Sequence, residues 1–280
     1  MEKALFVNAA VFALSCTLAA APLPSEITVR LKMANDAYVA GEAIRAVVEV
    51  ENSSADSVDV GSKGSADSLF VELYRASDMS RFQRLGKEPF TAPFLVHTGE
   101  GQRLETILGD HFAFDAETRY LARAVLVHGG MRYESAYKSF DVVPGMRAGG
   151  AMQMFASAPG LRREFELVHW GRGQMEHLFL KAKDSGSPGR RWRTVDLGPV
   201  MRVTAPKISV MPSGEVVVLH RASQDAFART VFWSIPVAFE LHGREQMTDP
   251  DVAGTERVKA LYGEKGGLDA PAPRPWWKFW

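Results

Sequence analysis

Seven histidines are the first side chains to weigh for chemistry: His97, His111, His128, His169, His177, His220 and His242. No two stand four apart, the spacing that aims two imidazoles from one helix face at a zinc ion. None forms the H-x-H pair that would do so from a strand. His177 and His220 occupy neighbouring positions of a weak internal repeat, which would bring them together if the repeats paired. Ordinary cross-strand packing accounts for them equally. No G-x-S-x-G nucleophile elbow is present, and Ser53, Ser54, Ser62, Ser65 and Ser68 sit in turn-rich stretches, where short hydroxyl side chains favour turns. Asp249-Pro250-Asp251 lacks the further acidic and glycine positions of a calcium loop and reads as a helix cap. Met146, Met152 and Met154 have the soft sulfur that copper(I) selects, but packing is the commoner use of methionine. Glu164 and Glu166 share a strand face without the partner on a second strand that glycoside hydrolysis needs. The expectation is a non-enzymatic chain with no cofactor and no metal.

Aromatic residues offer binding rather than catalysis. Trp276, Trp277, Phe279 and Trp280 place three of six tryptophans in five residues, behind the extended spacer Ala270-Pro271-Ala272-Pro273-Arg274-Pro275. Three readings stand. The rings fold back over an apolar patch of the same chain, insert as anchors into a partner groove, or lie at headgroup depth on a membrane with Arg274 and Lys278 near anionic lipid. Two rival functions use other residues. The Phe90-Thr91-Ala92-Pro93-Phe94 loop, pre-ordered by its proline, would suit an inhibitor or accessory domain. Trp170, Trp192 or Trp233 would serve a carbohydrate-binding module or glycan-acting hydrolase as sugar platforms.

Lys and Arg total 33, as do Asp and Glu, so the chain offers no long-range field for a polyanion and nucleic-acid binding is disfavoured. The first 21 residues read as a secretory signal peptide. Lys3 leads an apolar run from Ala4 to Leu14, too short to span a bilayer, and Ala19-Ala20-Ala21 supplies small residues for cleavage. Cys16 is the single cysteine. Ala13-Leu14-Ser15-Cys16 partly resembles a bacterial lipobox, so lipidation at Cys16 and its removal both stand. Either outcome leaves a chain without internal disulfides, exported to the periplasm or cell surface and held by its core.

Apolar residues alternate with period two from Glu26 to Val143, as in Ile44, Ala46, Val48 and Val50, in Leu69, Val71 and Leu73, and in Tyr120, Ala122, Ala124 and Leu126. Such alternation, broken by Gly, Ser and Asp clusters, indicates an antiparallel sandwich. Residues 24–145 form this first domain and 146–160, with Gly149-Gly150 and Pro159-Gly160, a linker. Residues 161–247 form a second β domain. Residues 248–280 hold a short helix over Asp251–Tyr262, the spacer and the aromatic tail. In the second domain, His177–Lys181 corresponds to Val216–His220 and Trp192–Val195 to Arg229–Phe232.

Tyr38-Val39-Ala40-Gly41-Glu42-Ala43-Ile44, followed by a strand ending in Asn52-Ser53-Ser54, resembles the opening of bacterial immunoglobulin-like domains of the macroglobulin and protease-inhibitor type. Asp115–Ala122 resembles the tyrosine corner of such sandwiches, with Tyr120 near a strand start and Ala122 in place of the usual cysteine. Pro206–Val216 resembles a β-propeller blade. Two blades cannot close a ring, so either the two meanders pack as one compact sheet or sandwich, or a partner chain completes a propeller. The overall architecture is similar to multi-domain β proteins exported by Gram-negative-type bacteria. The fold class expected is all-β, and the role is binding or scaffolding for a protein partner in the cell envelope.

Overall fold

The computed structural model describes residues 26–114, 117–185 and 192–248. The signal segment with Cys16, the 251–262 helix, the spacer and the tail lie outside these residues. Among the described residues every regular element is a strand, apart from one 3-10 turn at Leu108–Asp110.

The first sandwich contains β1 (Ile27–Met33), β2 (Ala37–Val39), β3 (Arg45–Asn52), β4 (Val58–Val60), β5 (Ser68–Arg75), β6 (Phe94–Val96), β7 (Gly101–Ile107), β8 (Arg119–His128), β9 (Met131–Glu134) and β10 (Lys138–Val143). One sheet has the order β1-β3-β7. The other runs β2-β10-β8-β5 with β9 also on β8, and β4 and β6 form a small ribbon. The opening segment changes sheets: β1 pairs antiparallel with β3, then β2 crosses over and pairs parallel with β10. Alternation in β3, β5 and β8 places Val48, Leu73 and Leu126 in one shared core, the period-two pattern expected of strands with one buried face. Asn52 is buried and its amide donates to Asp56 O and Val96 O, while its Oδ1 accepts from Ser54 N and Oγ. The Asn-Ser-Ser motif is therefore a turn tied to β6.

Only Pro144-Gly145 separates β10 from the next strand. The expected linker at 146–160 is corrected: β11 (Met146–Met154) is a strand paired along β12 (Arg162–Arg172). The strand bulges at Ala148, between Arg147 and Gly149, and Gly149-Gly150 continues the pairing, with Gly150 at a close approach rather than a break. A Cβ on Gly150 would lie 2.8 Å from the Phe165 carbonyl oxygen.

The remaining strands are β13 (Met175–Ser185), β14 (Arg193–Pro199), β15 (Lys207–Val210), β16 (Glu215–Arg221), β17 (Ala226–Ile235) and β18 (Ala238–Thr248). They form two four-stranded meanders, β11-β12-β13-β14 and β15-β16-β17-β18. Phe165, Leu167, Leu178 and Leu180 from the first share a core with Val216, Val218 and Phe232 from the second. The meanders thus pack on each other as a sandwich, and the blade-like repeat does not build a propeller. The repeat also matches non-equivalent strands, because β13 is third in its meander and β16 second in its own.

Buried charges in both sandwiches are matched. Arg163 stands at an inward position of β12, where its guanidinium donates to Ser234 Oγ at 2.9 Å and Ala238 O at 2.9 Å, and pairs with Asp184. This one side chain fastens the two meanders together. Glu72 of β5, 2% exposed, receives Arg123 at 2.7 Å, Arg132 at 2.9 Å and Arg81 at 3.0 Å, with the Tyr74 hydroxyl at 3.0 Å. Burial pushes its pKa up, but the Arg132, Arg123 and Tyr74 hydrogen bonds and the Arg81 charge outweigh burial and bring it down to about 2.

The folded pKa of Glu72 lies below its ordinary 4.5. Its stabilisation is therefore complete above pH 4.5 and lost as the pH falls toward 2, a change of about 3 kcal/mol. Urea unfolding across that window should show this slope, and Glu72→Gln should flatten it while destabilising the protein at pH 7.

Candidate functional site

The two sandwiches meet through the turn that joins β2 to β3. Tyr38 fixes its entry, since the phenol accepts from Asn35 N at 3.0 Å and donates to Arg45 O at 3.1 Å. The turn then adds itself to the edge of β14. Thr194 N–H donates to Gly41 O at 3.0 Å and Thr194 Oγ1 to Ala40 O at 2.6 Å. Gly41 has φ +87°, and a Cβ there would lie 2.3 Å from the Trp192 carbonyl oxygen. Only glycine meets both conditions.

Glu42 completes the junction. Arg172 of β12 donates to Glu42 Oε1 and Oε2, each at 2.8 Å, and Val39 N–H donates to Oε2 at 3.0 Å. Both partners are largely buried, with side-chain exposures of 16% for Arg172 and 10% for Glu42. Burial pulls the Arg172 pKa down, but the Glu42 hydrogen bonds and the charges of Glu42 and Asp196 raise it above its ordinary value. The guanidinium lies 5.1 Å from the Phe179 ring centre, in cation–π range. Phe179 packs with Val39 and Val168, with Val143 and Trp170 around them. A bidentate pair over an apolar patch fixes orientation as well as contact.

Beside this junction lies a cleft of about 700 Å3 with walls from both sandwiches. Ile44, Ile107, Phe112 and Phe114 give an apolar wall on one side, and Trp192, Lys183 and Arg193 face it from the other. The Lys181 and Lys183 ammonium groups lie 5.0 and 5.6 Å from the Trp192 ring centre. Among the described residues no carboxylate forms an ion pair with Lys183 or Arg193. Glu42, Asp110 and Glu117 line the same cleft, so an apolar wall with charges of both signs around it suits a ligand with an apolar body and polar flanks, in a volume typical of binding sites.

The residues singled out in the sequence fall elsewhere or outside the description. Cys16, Trp276, Trp277, Phe279, Trp280, Asp249 and Asp251 lie beyond the described residues. The Phe90–Phe94 loop is corrected as an exposed probe: Phe90 is buried against His111 and Phe94 is half-buried, which leaves Ala92 and Pro93 outward. Trp170 is half-buried at the junction and Trp192 lines the cleft. Trp233 is 38% exposed, with its indole N–H donated to His242 Nδ1 at 2.8 Å. Met146, Met152 and Met154 are exposed along β11. Glu166 pairs with Lys181 and Arg147, and Glu164 with Arg162.

His177 and His220 do not share paired strands, because β13 and β16 belong to different meanders. His177 Nδ1 meets Asp196 at 2.9 Å at the junction. His220 is buried in the core, its Nε2–H donating to Pro199 O at 3.2 Å while Nδ1 has no partner. Arg172 and the role of Glu42 are what sequence reasoning missed. Glu42 was visible within the resembling motif, but its partner stands 130 residues away.

Burial brings the His220 pKa down to about 4 from 6.5. The unfolded chain therefore takes up this proton first, and stability should fall by about 3 kcal/mol between pH 6.5 and 4. His220→Phe should remove that slope. At the junction, Gly41→Ala should cost roughly 3 kcal/mol or more, as expected when a buried pair is pulled apart. Gly64→Ala is the control: Gly64 has φ +92° with nothing within 4 Å of a Cβ, so it should show backbone strain alone, about 1–2 kcal/mol. Chemical denaturation checks both.

No family model matches the chain, and no curated protein matches it. Among solved structures it is similar to Spo0M, a sporulation control protein from Bacillus subtilis, at 11% identity and a TM-score of 0.29, over 85% of this chain and 97% of that one. It is also similar to a cycloalternan-forming enzyme from Listeria monocytogenes in complex with a pentasaccharide substrate, at 11% identity and a TM-score of 0.24, over 78% of this chain and 18% of the enzyme. Likeness at this level carries no argument about fold or function.

Proposed function

We propose that this chain is an exported, non-enzymatic binding or scaffolding protein of the bacterial cell envelope, with an immunoglobulin-like first sandwich. The sheet orders β1-β3-β7 and β2-β10-β8-β5, with the opening strand divided between sheets, support that family reading. The observation that carries the binding role is the cleft. Two sandwiches joined by a buried ion pair and a shared strand edge hold an apolar wall opposite Trp192, Lys183 and Arg193. Preformed geometry of this kind lowers the ordering cost of association. The ligand is a segment of a partner protein with an apolar or aromatic anchor and polar flanks, since Glu42, Asp110 and Glu117 line the cleft along with Lys183 and Arg193. The export segment and the aromatic tail fit an envelope location. Sugar stacking on Trp192 is disfavoured, since two lysine ammonium groups already approach its ring.

A photo-crosslinker placed at Arg193 should capture one specific protein from the envelope fraction of the source cells. Lys183→Glu/Trp192→Ser should abolish capture with the melting temperature little changed. Capture that survives the double substitution, or a chain that fractionates with the cytoplasm, contradicts the reading.

A further inference from the structure

We propose that the partner segment does not end in the cleft. It continues across Ile107 and Asp110 onto the outer face of the β1-β3-β7 sheet, carrying an acid–base–acid order of charges around its apolar anchors. This rests on the cleft reading above and adds the path and the charge pattern of the ligand. A second cavity of about 700 Å3 lies on that outer face. It shares Ile107 and Asp110 with the cleft, so the two cavities adjoin across those side chains. Ile107 ends β7 opposite Arg45 of β3, and Asp110 follows in the 3-10 turn. Along β3, Ile44 lines the cleft and Val47 the second cavity. Three strand residues separate them by about 10 Å.

The outward positions of a water-facing strand are ordinarily polar. On β3 they are Arg45, Val47, Glu49 and Glu51, and Val47 alone is apolar. Val47 and Ile107, both half-buried, give the second cavity an apolar floor. Three cations surround it: Lys32, Arg45 and Arg103. Lys32 pairs with Glu49 at 2.7 Å and Arg103 with Glu105 at 3.6 Å. Arg45 is exposed, and among the described residues no carboxylate pairs with it. Among the same residues no cation pairs with Asp110 or Glu117. Unmatched charges therefore succeed one another along the path. Lys183 and Arg193 stand on the second-sandwich side of the cleft, Glu117 and Asp110 on the first-sandwich side, and Arg45 lies beyond Asp110. The complementary ligand has an acidic residue in the cleft, a basic one at Asp110 and an acidic one beside Val47. An extended heptapeptide, about 23 Å long, covers such a path.

The test uses the full chain and a library of random heptapeptides displayed on phage. The unmodified chain should select an apolar anchor flanked by an acid on one side and a base, then a second acid, on the other. Selection on Arg45→Glu should return the same motif with the second acid exchanged for Lys or Arg. Selection on Lys183→Glu/Arg193→Glu should exchange the first acid instead. A synthetic peptide of the selected motif should lose about tenfold in affinity on Arg45→Glu. Changing its second acid to lysine should restore that loss. Arg45 is exposed and makes no ion pair, so Arg45→Glu should keep the melting temperature of the unmodified chain. A motif that responds to Lys183→Glu/Arg193→Glu but not to Arg45→Glu would overturn the extension and leave the cleft reading standing. A motif without the central base would overturn the charge order. No enrichment over the Lys183→Glu/Trp192→Ser chain would overturn both the extension and the cleft reading.

Discussion

Everything between the two sandwiches depends on one turn approaching one strand edge without a side chain in the way. Gly41 rests against the Trp192 carbonyl, and that closeness lets Thr194 reach the carbonyl oxygens of Ala40 and Gly41. The same approach brings Glu42 into range of Arg172. The ion pair would be an unfavourable burial of charge if either partner stood alone. Each is held by other contacts as well: Glu42 by the Val39 amide, Arg172 by Phe179 and Asp196. The junction is therefore geometrically selective, and the adjoining cleft inherits a defined width.

The same logic recurs inside each sandwich. Glu72 gathers three arginines over the outer face of one sheet, and Arg163 ties the meanders to each other across their edge. His220 sits neutral in a core that disfavours its charge. These sites set distinct acid responses, because a carboxylate held ionised and an imidazole held neutral release their stabilisation over different pH windows.

How much of this could be read in advance depends on the range of the interaction. Strands β3, β5 and β8 were legible because period-two alternation is local, with Val48, Leu73 and Leu126 falling inward where the pattern placed them. β11 was misread as linker because Gly149-Gly150 carries the composition of a turn, whereas the cause is a close approach by the Phe165 backbone 15 residues away. Phe90 was misread as a probe because its burial against His111 depends on a contact with no local signature. In the cleft, Trp192 was visible as an aromatic candidate and Glu42 as part of a motif. Their meeting with Arg172 and Phe112 was not visible, since those residues come from distant parts of the chain. Arg163 did leave a trace, as a charge in phase with Phe165 and Leu167, an inward position that demands partners.

The claim at the centre is that the Gly41–Glu42 turn joins the two sandwiches into one cooperative body. Differential scanning calorimetry of the unmodified chain tests this most directly. The account predicts a single transition whose calorimetric and van 't Hoff enthalpies agree. Two resolved transitions, one for each sandwich, would show that the junction does not couple them and would contradict the account.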